Sequence, residues 1–442
     1  MKVVSLYPSK SGESAPLSGA RLVAALDIGS SKISCMIGEV RGLKRRSGGA
    51  VPAARITGFG VQAARGVRGG VVVDAAAAEQ AVRLAVDAAE RMAGVRLEEA
   101  HVNISGGQPK CETVQAEIAV DGGGPIGAKH VSRVIGQALG RCRAQAGREI
   151  VHVTAARFSL DGGPGLLKAE GLHAGRLRAD VNVISLQRGV LRNLEMVMER
   201  CMLRPAGFVI APYAAARAVA VADELELGVT VVEIGAANTT WAAFEDGRLE
   251  AAGSIPVGSG HVTNDIAMLL GVPLKEAERL KTLDGSVLPG IGDDGDAISA
   301  SMLGETGAGA MQQLPRSMLN KVIGARMEEI LEMTRDALRA CPARAAGRRL
   351  VLTGGGSQLV GLRELAEQIF GAPVRIGQPR QIAGMPQVME SAAFAGAAGL
   401  LRAAMEPDDL GFLPPHEAAG ADLDTGTGGY FSRVRQWFGQ SF

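Results

Sequence analysis

Three times along this chain an apolar run ends in glycine followed by small hydroxyl or amide residues: ALDIGSSK at 25–32, VEIGAANTT at 232–240 and LTGGGS at 352–357. Each reads as a buried strand running into a tight turn. Such turns suit phosphate binding, because glycine lets backbone N–H groups approach anionic oxygens and a strand-ending carboxylate can orient a hydrated cation. One D-x-G-S match is an ordinary β-turn. Three in order, the first two heading separate halves, predict two lobes that face one another around a single ligand. The chain has no G-x-x-x-x-G-K-[ST] loop, and no G-x-G-x-x-G opens a helix, so neither a P-loop nor a dinucleotide fingerprint is present. GFGVQAARG at 58–66 lies within a strand and its turn and is set aside.

Around these turns the pattern is α/β. Residues 22–40 read as two strands around a bend, 55–62 as a further strand and 75–94 as a helix. Between about 97 and 178 the pattern becomes irregular, with short strands at HVNISGG and IVHVTAARFSL and a helix over 128–145, which suggests an inserted subdomain. A strand (ADVNVISL) and a helix over 191–202 then close the first lobe before Pro205. The second half opens with GFVIAPYAAARAVA, a strand running into an Ala-rich helix, and 264–281 and 314–340 read as helices. The expected division is an N-terminal arm at 1–20, a first lobe at 21–96 and 179–204, an insert at 97–178, and a second lobe at 205–400 with an outer subdomain near 265–325. An acidic linker at 401–429 and a terminal helix at 430–442 complete it.

At 442 residues the chain needs more than one core, and with aromatics at 3% and 60 glycines those cores must be built from small aliphatic residues. A net charge of +1 lacks the basic excess that nucleic-acid binding requires, so nucleic acid is not an expected partner. Five scattered cysteines with no C-x-x-C pair predict neither a disulfide framework nor a zinc site, which suits a reducing cytoplasm. The first apolar run, 22–26, is too short for an export signal. No stretch of eighteen apolar residues occurs, so membrane contact is expected to be peripheral.

Strands ending in three such turns are the layout of the actin, sugar-kinase and heat-shock-chaperone ATPases. More specifically, ALDIGSSKISCMIGEV, GVRGGVVVDAAAAEQAVRLAVDAAERMAGVRLEEAHVNISGG, CETVQAEI, REIVHVTAARFSLDG, IPVGSGHVTNDIAMLLGVPLKEAERLK and LVLTGGGSQLVGL resemble, in order, the bacterial cell-division family FtsA. The resemblance runs from about 23 to 400 and resumes at the C-terminus. It implies an actin-like fold with an SHS2-like inserted subdomain, 1C, and ATP with Mg²⁺ between the lobes. By position, Asp27 would hold Mg²⁺ through water, and Gly29, Ser30, Ser31 and Lys32 would meet the phosphates from one side. Glu233, Gly235, Ala236, Ala237, Asn238 and Thr239 would meet them from the other. Gly354, Gly355 and Gly356 would lie near adenosine, with Glu278 and Lys281 beside them; an i,i+3 surface ion pair is the plainer reading of those two. Where the family usually reads D-x-G-G-G-T-x-D, this chain reads Glu233-Ile234-Gly235-Ala236-Ala237-Asn238-Thr239-Thr240. Alanine disfavours positive φ and Thr240 offers no carboxylate, so binding with weak or absent hydrolysis is expected. No acid is placed to serve as the base of a small-molecule kinase, and no substrate module of a chaperone follows residue 400. A scaffold for another membrane assembly, such as a pilus, stays open as an alternative.

The tail reverses in composition. After Arg402 no Lys or Arg appears until Arg433, and six acids lie among Pro, Gly and Ala; YFSRVRQWFGQSF then holds five of the chain's aromatics in its last thirteen residues. On a helical wheel Tyr430, Phe431, Val434, Trp437 and Phe438 share one sector flanked by Arg433 and Arg435. At ~20 Å such a helix is too short to span a bilayer and is expected to lie among anionic headgroups. The resemblance implies that the chain polymerises, sits on the cytoplasmic face of the inner membrane at the division site, receives the C-terminal tail of the tubulin-like protein FtsZ, and helps recruit later division proteins. Arg316, Asn320, Lys321 and Arg326 are the candidate FtsZ contacts.

Overall fold

The computed structural model describes residues 20–41, 53–141, 147–288, 290, 295–304, 311–341 and 348–405. In the first lobe β1 (Ala20–Ile28), β2 (Lys32–Arg41) and β3 (Ala53–Ala63) form an antiparallel meander. The short pair β4 (Val67–Arg68) and β5 (Val71–Val72) leads into α1 (Ala75–Ala93). This helix starts where Asp74 accepts from the N–H groups of Ala76 and Ala77 and stops at Gly94, in the left-handed region at φ 66°, so both ends are satisfied by residue type. Gly58 and Gly60 seat α1 on β3: a Cβ on either would meet the Ala89 or Ala85 carbonyl at 2.2 or 2.0 Å. The spaced glycines of GFGVQAARG therefore serve helix–sheet packing.

β6 (Glu99–Ile104) lies parallel to β1. Then come β7 (Lys110–Ala119), α2 (Ala128–Arg141), β8 (Arg148–Leu160) and β9 (Arg176–Gln187), a three-stranded antiparallel sheet in the order β7-β9-β8 backed by α2 around its own core. The insert thus begins after Ile104 and runs through Gln187, later at both ends than the expected 97–178. Apolar HVNI is an inner strand of the first sheet, and the long β9 belongs wholly to the insert. α3 (Arg188–Arg200) leads to β10 (Arg204–Ile210), which pairs with β6. GFVI, expected to open the second lobe, is instead the outer strand of the first.

α4 (Ala211–Val219) and α5 (Ala222–Leu227) connect to the second sheet. There β11 (Val229–Ile234), β12 (Thr239–Glu245) and β13 (Arg248–Ile255) form another meander, joined in parallel by β16 (Leu350–Thr353) and β17 (Val374–Ile376). Between them lies the outer subdomain: α6 (Ser259–Leu270), α7 (Leu274–Leu283), the hairpin β14 (Ala297–Ser301) with β15 (Met311–Pro315), and α8 (Arg316–Arg339). The single helix expected over 264–281 is two, because α6 ends on Gly271 at φ 67° and Pro273 caps the start of α7. α9 (Leu362–Phe370) and α10 (Ala395–Met405) complete the described chain.

The sheets run β10-β6-β1-β2-β3 and β17-β16-β11-β12-β13, the same plan twice. α10 and α4 pack between them, closely enough that a Cβ on Gly399 would lie 1.6 Å from the Ala214 carbonyl oxygen. Among the described residues no helix is long and apolar enough to cross a membrane. The candidate membrane residues Tyr430, Phe431, Arg433, Val434, Arg435, Trp437 and Phe438 lie outside the described residues.

Candidate functional site

The duplicated plan places like beside like. Asp27 is the penultimate residue of β1 and Glu233 of β11, and each strand turns back through a glycine whose N–H reaches the residue three further on: Gly29 to the Lys32 carbonyl at 3.1 Å, Gly235 to the Asn238 carbonyl at 3.0 Å. On the parallel neighbours, Asn103 of β6 stands opposite Asp27, and Thr353 of β16 opposite Glu233. The loops after those neighbours, Ser105–Gly107 and Gly354–Gly356, form a second pair of turns. Sequence reading found three of these four. The missed one was signalled by NISGG, a polar-then-glycine break after a buried strand.

The two carboxylates converge. A Cβ on Gly396, near the start of α10, would lie 3.2 Å from Asp27 Oδ2 and 3.2 Å from Glu233 Oε1, so any larger residue there would crowd both acids. Asn103 donates to Asp27 Oδ1 at 3.1 Å, and Thr240 donates to Glu233 Oε2 at 3.3 Å. Both acids are half-buried, and burial raises the Asp27 pKa. Burial, reinforced by the negative charge of Asp27, pushes Glu233 up to about 8, so at neutral pH it is mostly protonated. The Lys32 ammonium donates to the Ala393 carbonyl at 2.5 Å and stands 4.5 Å above the Phe394 ring; its pKa is lowered by burial against the pull of the two acids.

The turns offer donors. The N–H groups of Ser30, Ser31, Ala236 and Ala237 have no acceptor among the described residues, which suits the oxygens of a phosphate chain. Ala236 and Ala237 take ordinary negative φ, so the expected penalty for replacing glycine there does not arise in the backbone. The turn is braced from behind, where Ser259 and Gly260 donate to the carbonyls of Gly235 and Ala236 at 2.8 and 2.7 Å. Thr239 Oγ1 donates to the Val257 carbonyl at 2.8 Å. Gly354, at φ 84°, lies against Ile234, whose carbonyl oxygen a Cβ would meet at 2.6 Å; Gly356 packs on the same side chain and Gly355 stays open beside Ala393. These residues and chemistry fit a nucleotide with its cation: paired carboxylates, orphaned N–H groups and a glycine floor.

Glu278 and Lys281 stand one layer back. Lys281 is buried at 6% exposure and donates to the Ser259 carbonyl at 3.3 Å, Thr263 Oγ1 at 2.8 Å and Glu278 Oε2 at 2.7 Å. Glu278 is exposed while Lys281 is buried, and the pair ties α7 to α6, the helix that supports the second turn. Of the candidate partner contacts, Asn320 is buried and accepts from the Ser286 N–H at 2.8 Å, which corrects its surface assignment. Arg326 is held by Asp265 at 2.5 and 3.2 Å and by Glu329, Arg316 is half-buried, and Lys321 is exposed.

Residues 230–399 match the family model for "Cell division protein FtsA", and residues 106–185, the insert as the structure bounds it, match "SHS2 domain inserted in FTSA". Among solved structures, the "PilM-PilN type IV pilus biogenesis complex" superposes with TM-score 0.59 at 16% identity, covering 87% of this chain and 99% of that one, a likeness of fold alone. The fold is the actin-like two-lobed α/β fold with an inserted SHS2 subdomain. A "Cell division protein FtsA" from Escherichia coli strain K12 is 28% identical over 96% of this chain and 98% of its own. The relative from Rhizobium meliloti strain 1021 is 38% identical over 97% of this chain and 96% of its own, and at that likeness over nearly the whole length the chain belongs to the FtsA family of cell division proteins.

Proposed function

We propose that this chain binds ATP between its lobes and links the FtsZ ring to the inner face of the membrane through its C-terminal tail, polymerising as it does so and helping to recruit later division proteins. The observation that carries the nucleotide reading is the convergence of Asp27 and Glu233 beneath two turns whose N–H groups lack acceptors. Bound there, ATP with Mg²⁺ supplies the negative charge that those donors and Lys32 meet. The residues keep hydrolysis slow: Thr240 stands where the family pattern has a carboxylate and instead donates to Glu233, so the second turn offers no free acid to serve as base.

The membrane reading rests on the aromatic and basic residues 430–442. One short helix binds a bilayer weakly, and a polymer presenting many tails raises avidity by ~10² or more. For the partner, Lys321 and Met318 lie one turn apart on α8, both exposed, and the α6–α7 corner exposes Met268, Leu269 and Leu274. Met318 beside the exposed Lys321 ammonium suits an acidic, apolar peptide tail.

Co-sedimentation of purified FtsZ with liposomes, using the full chain and a version ending at Gly429, tests the whole reading. Recruitment by the full chain and its loss on truncation are expected. Liposome binding with FtsZ left in solution would remove FtsZ as the partner, and no liposome binding would remove the anchor.

A further inference from the structure

Lys32 and Asn238 occupy the same position in the two halves, each closing its turn by accepting from the glycine three residues earlier. Each also sends its side chain across to the opposite half. Lys32 reaches the Ala393 carbonyl, on the segment packed against the third turn. Asn238 reaches two carbonyls of the first lobe, donating from Nδ2 to Gly69 at 3.0 Å and to Ser105 at 2.9 Å. Both partners are acceptors, so only the NH₂ of the amide can face them, and both of its hydrogens are used.

The receiving surface is itself tied to the first turn. Gly69 and Gly70 have φ of 61° and 70°; the Gly70 N–H donates to Ser30 Oγ at 3.0 Å, and a Cβ on Gly70 would meet Gly106 N at 2.5 Å. Ser30, the Gly69–Gly70 turn, the Ser105–Gly106 loop and Asn238 thus form a continuous band that joins the two halves. In a site of this plan a terminal phosphate is the group able to accept from both turns and draw the lobes together. In this chain a side-chain amide already spans them, at the position where the family pattern has the shorter threonine.

We propose that Asn238 is an interlobe clasp that holds the cleft closed without ligand, and so determines how little the terminal phosphate adds to closure: with Asn238 present, the site distinguishes nucleoside triphosphate from diphosphate weakly. The first clause stands on the hydrogen bonds alone, while the second rests on the proposed nucleotide site.

Hydrogen exchange of the full chain over the segments containing Gly69–Gly70 and Ser105–Gly107 tests both, measured without nucleotide, with Mg-ADP and with Mg-ATP, in the wild type, Asn238→Thr and Asn238→Asp. Threonine is too short to span the gap, and aspartate sets an acceptor against two acceptors. Exchange in α2 of the insert, remote from the band, reports that each variant is folded. The expected result is similar protection of the wild type in all three conditions, about ten-fold faster exchange in both variants without nucleotide, from the loss of two hydrogen bonds, and recovery of Asn238→Thr in Mg-ATP more than in Mg-ADP. Equal exchange of wild type and Asn238→Thr without nucleotide overturns the clasp. If the variants open but neither nucleotide changes any of the three proteins, the clasp stands and the nucleotide site, with the discrimination drawn from it, falls.

Discussion

Replacing Glu233 with glutamine removes one titration while keeping a group that can meet Thr240. The folded protein holds the Glu233 proton up to about 8, against an ordinary value of 4.5. The sign follows: between those values the folded state keeps a proton that the unfolded chain has released, so stability is greatest below 4.5 and is lost as pH rises through 8. At about 1.4 kcal/mol per unit the full displacement bounds the effect on the order of 5 kcal/mol, and the loss between pH 7 and 8 alone is about 1 kcal/mol. Asp27, raised by burial, and Lys32, lowered by burial, are coupled to Glu233, so it is the comparison with Glu233→Gln that singles out this carboxyl. Burial depresses His101 and His152 to about 4, so they add stability as pH rises toward the ordinary histidine range and nothing changes above it. The buried cysteines, raised to about 11 or 12 from 9.0, act above pH 8. Urea unfolding in EDTA without nucleotide, at pH 7 and 8, should show the wild type weakening by about 1 kcal/mol and Glu233→Gln holding level. Parallel loss in the two proteins would mean that Glu233 is ionised at neutral pH, and the picture of a carboxylate pair desolvated under α10 would be wrong.

Two further substitutions probe the contacts that hold the lobes and the insert. Gly399→Ala would set a methyl 1.6 Å from the Ala214 carbonyl oxygen and force α10 off α4, costing about 2–3 kcal/mol or more; an unfolding midpoint unchanged within error would show that the helix pair is looser than described. Arg157, on β8 of the insert, lies 2.9 Å from Glu245, 3.0 Å from Asp246 and 3.3 Å from Glu250 of the second lobe. Arg157→Ala should cost about 1 kcal/mol after solvent screening and speed exchange in β8, with the gap to wild type shrinking as salt rises. A gap indifferent to salt would show that the residue acts through packing.

Much of this was legible in the sequence, and the failures have physical causes. The ends of β1, β11 and β16 announced themselves because an apolar run stopping at glycine is a local signal. α1 was readable to within a residue because Asp74 and Gly94 cap it. The fourth turn, Ser105–Gly107, was absorbed into the insert because its strand is short and the insertion follows at once. β10 was misplaced for a deeper reason: GFVI states that it is a buried strand, and only pairing with β6 decides which sheet receives it. Asn320 and Lys281 show the same limit, since a polar residue on an amphipathic helix reads as exposed until a neighbour such as Ser286 or Thr263 is known to use it.

The second turn departs from the family pattern in side chains while its backbone keeps the shape of the first. Taken residue by residue, Ala236, Ala237 and Thr240 each look like a loss. The backbone nevertheless keeps the same closing hydrogen bond as the first turn, at 3.0 against 3.1 Å, and the alanines sit at ordinary φ, so the geometry that orients the N–H groups survives. What the turn loses is charge, with Thr240 in place of an acid beside Glu233, whose pKa burial raises. What it gains is reach, through Asn238 to Gly69 and Ser105. The insert adds a second crossing, since Asn182 of β9 donates to the carbonyls of Leu249 and Glu250 at 3.2 and 2.9 Å. On the proposed function, a site that keeps its donors, lacks the second acid and braces its lobes by protein contacts is suited to holding a nucleotide rather than turning it over.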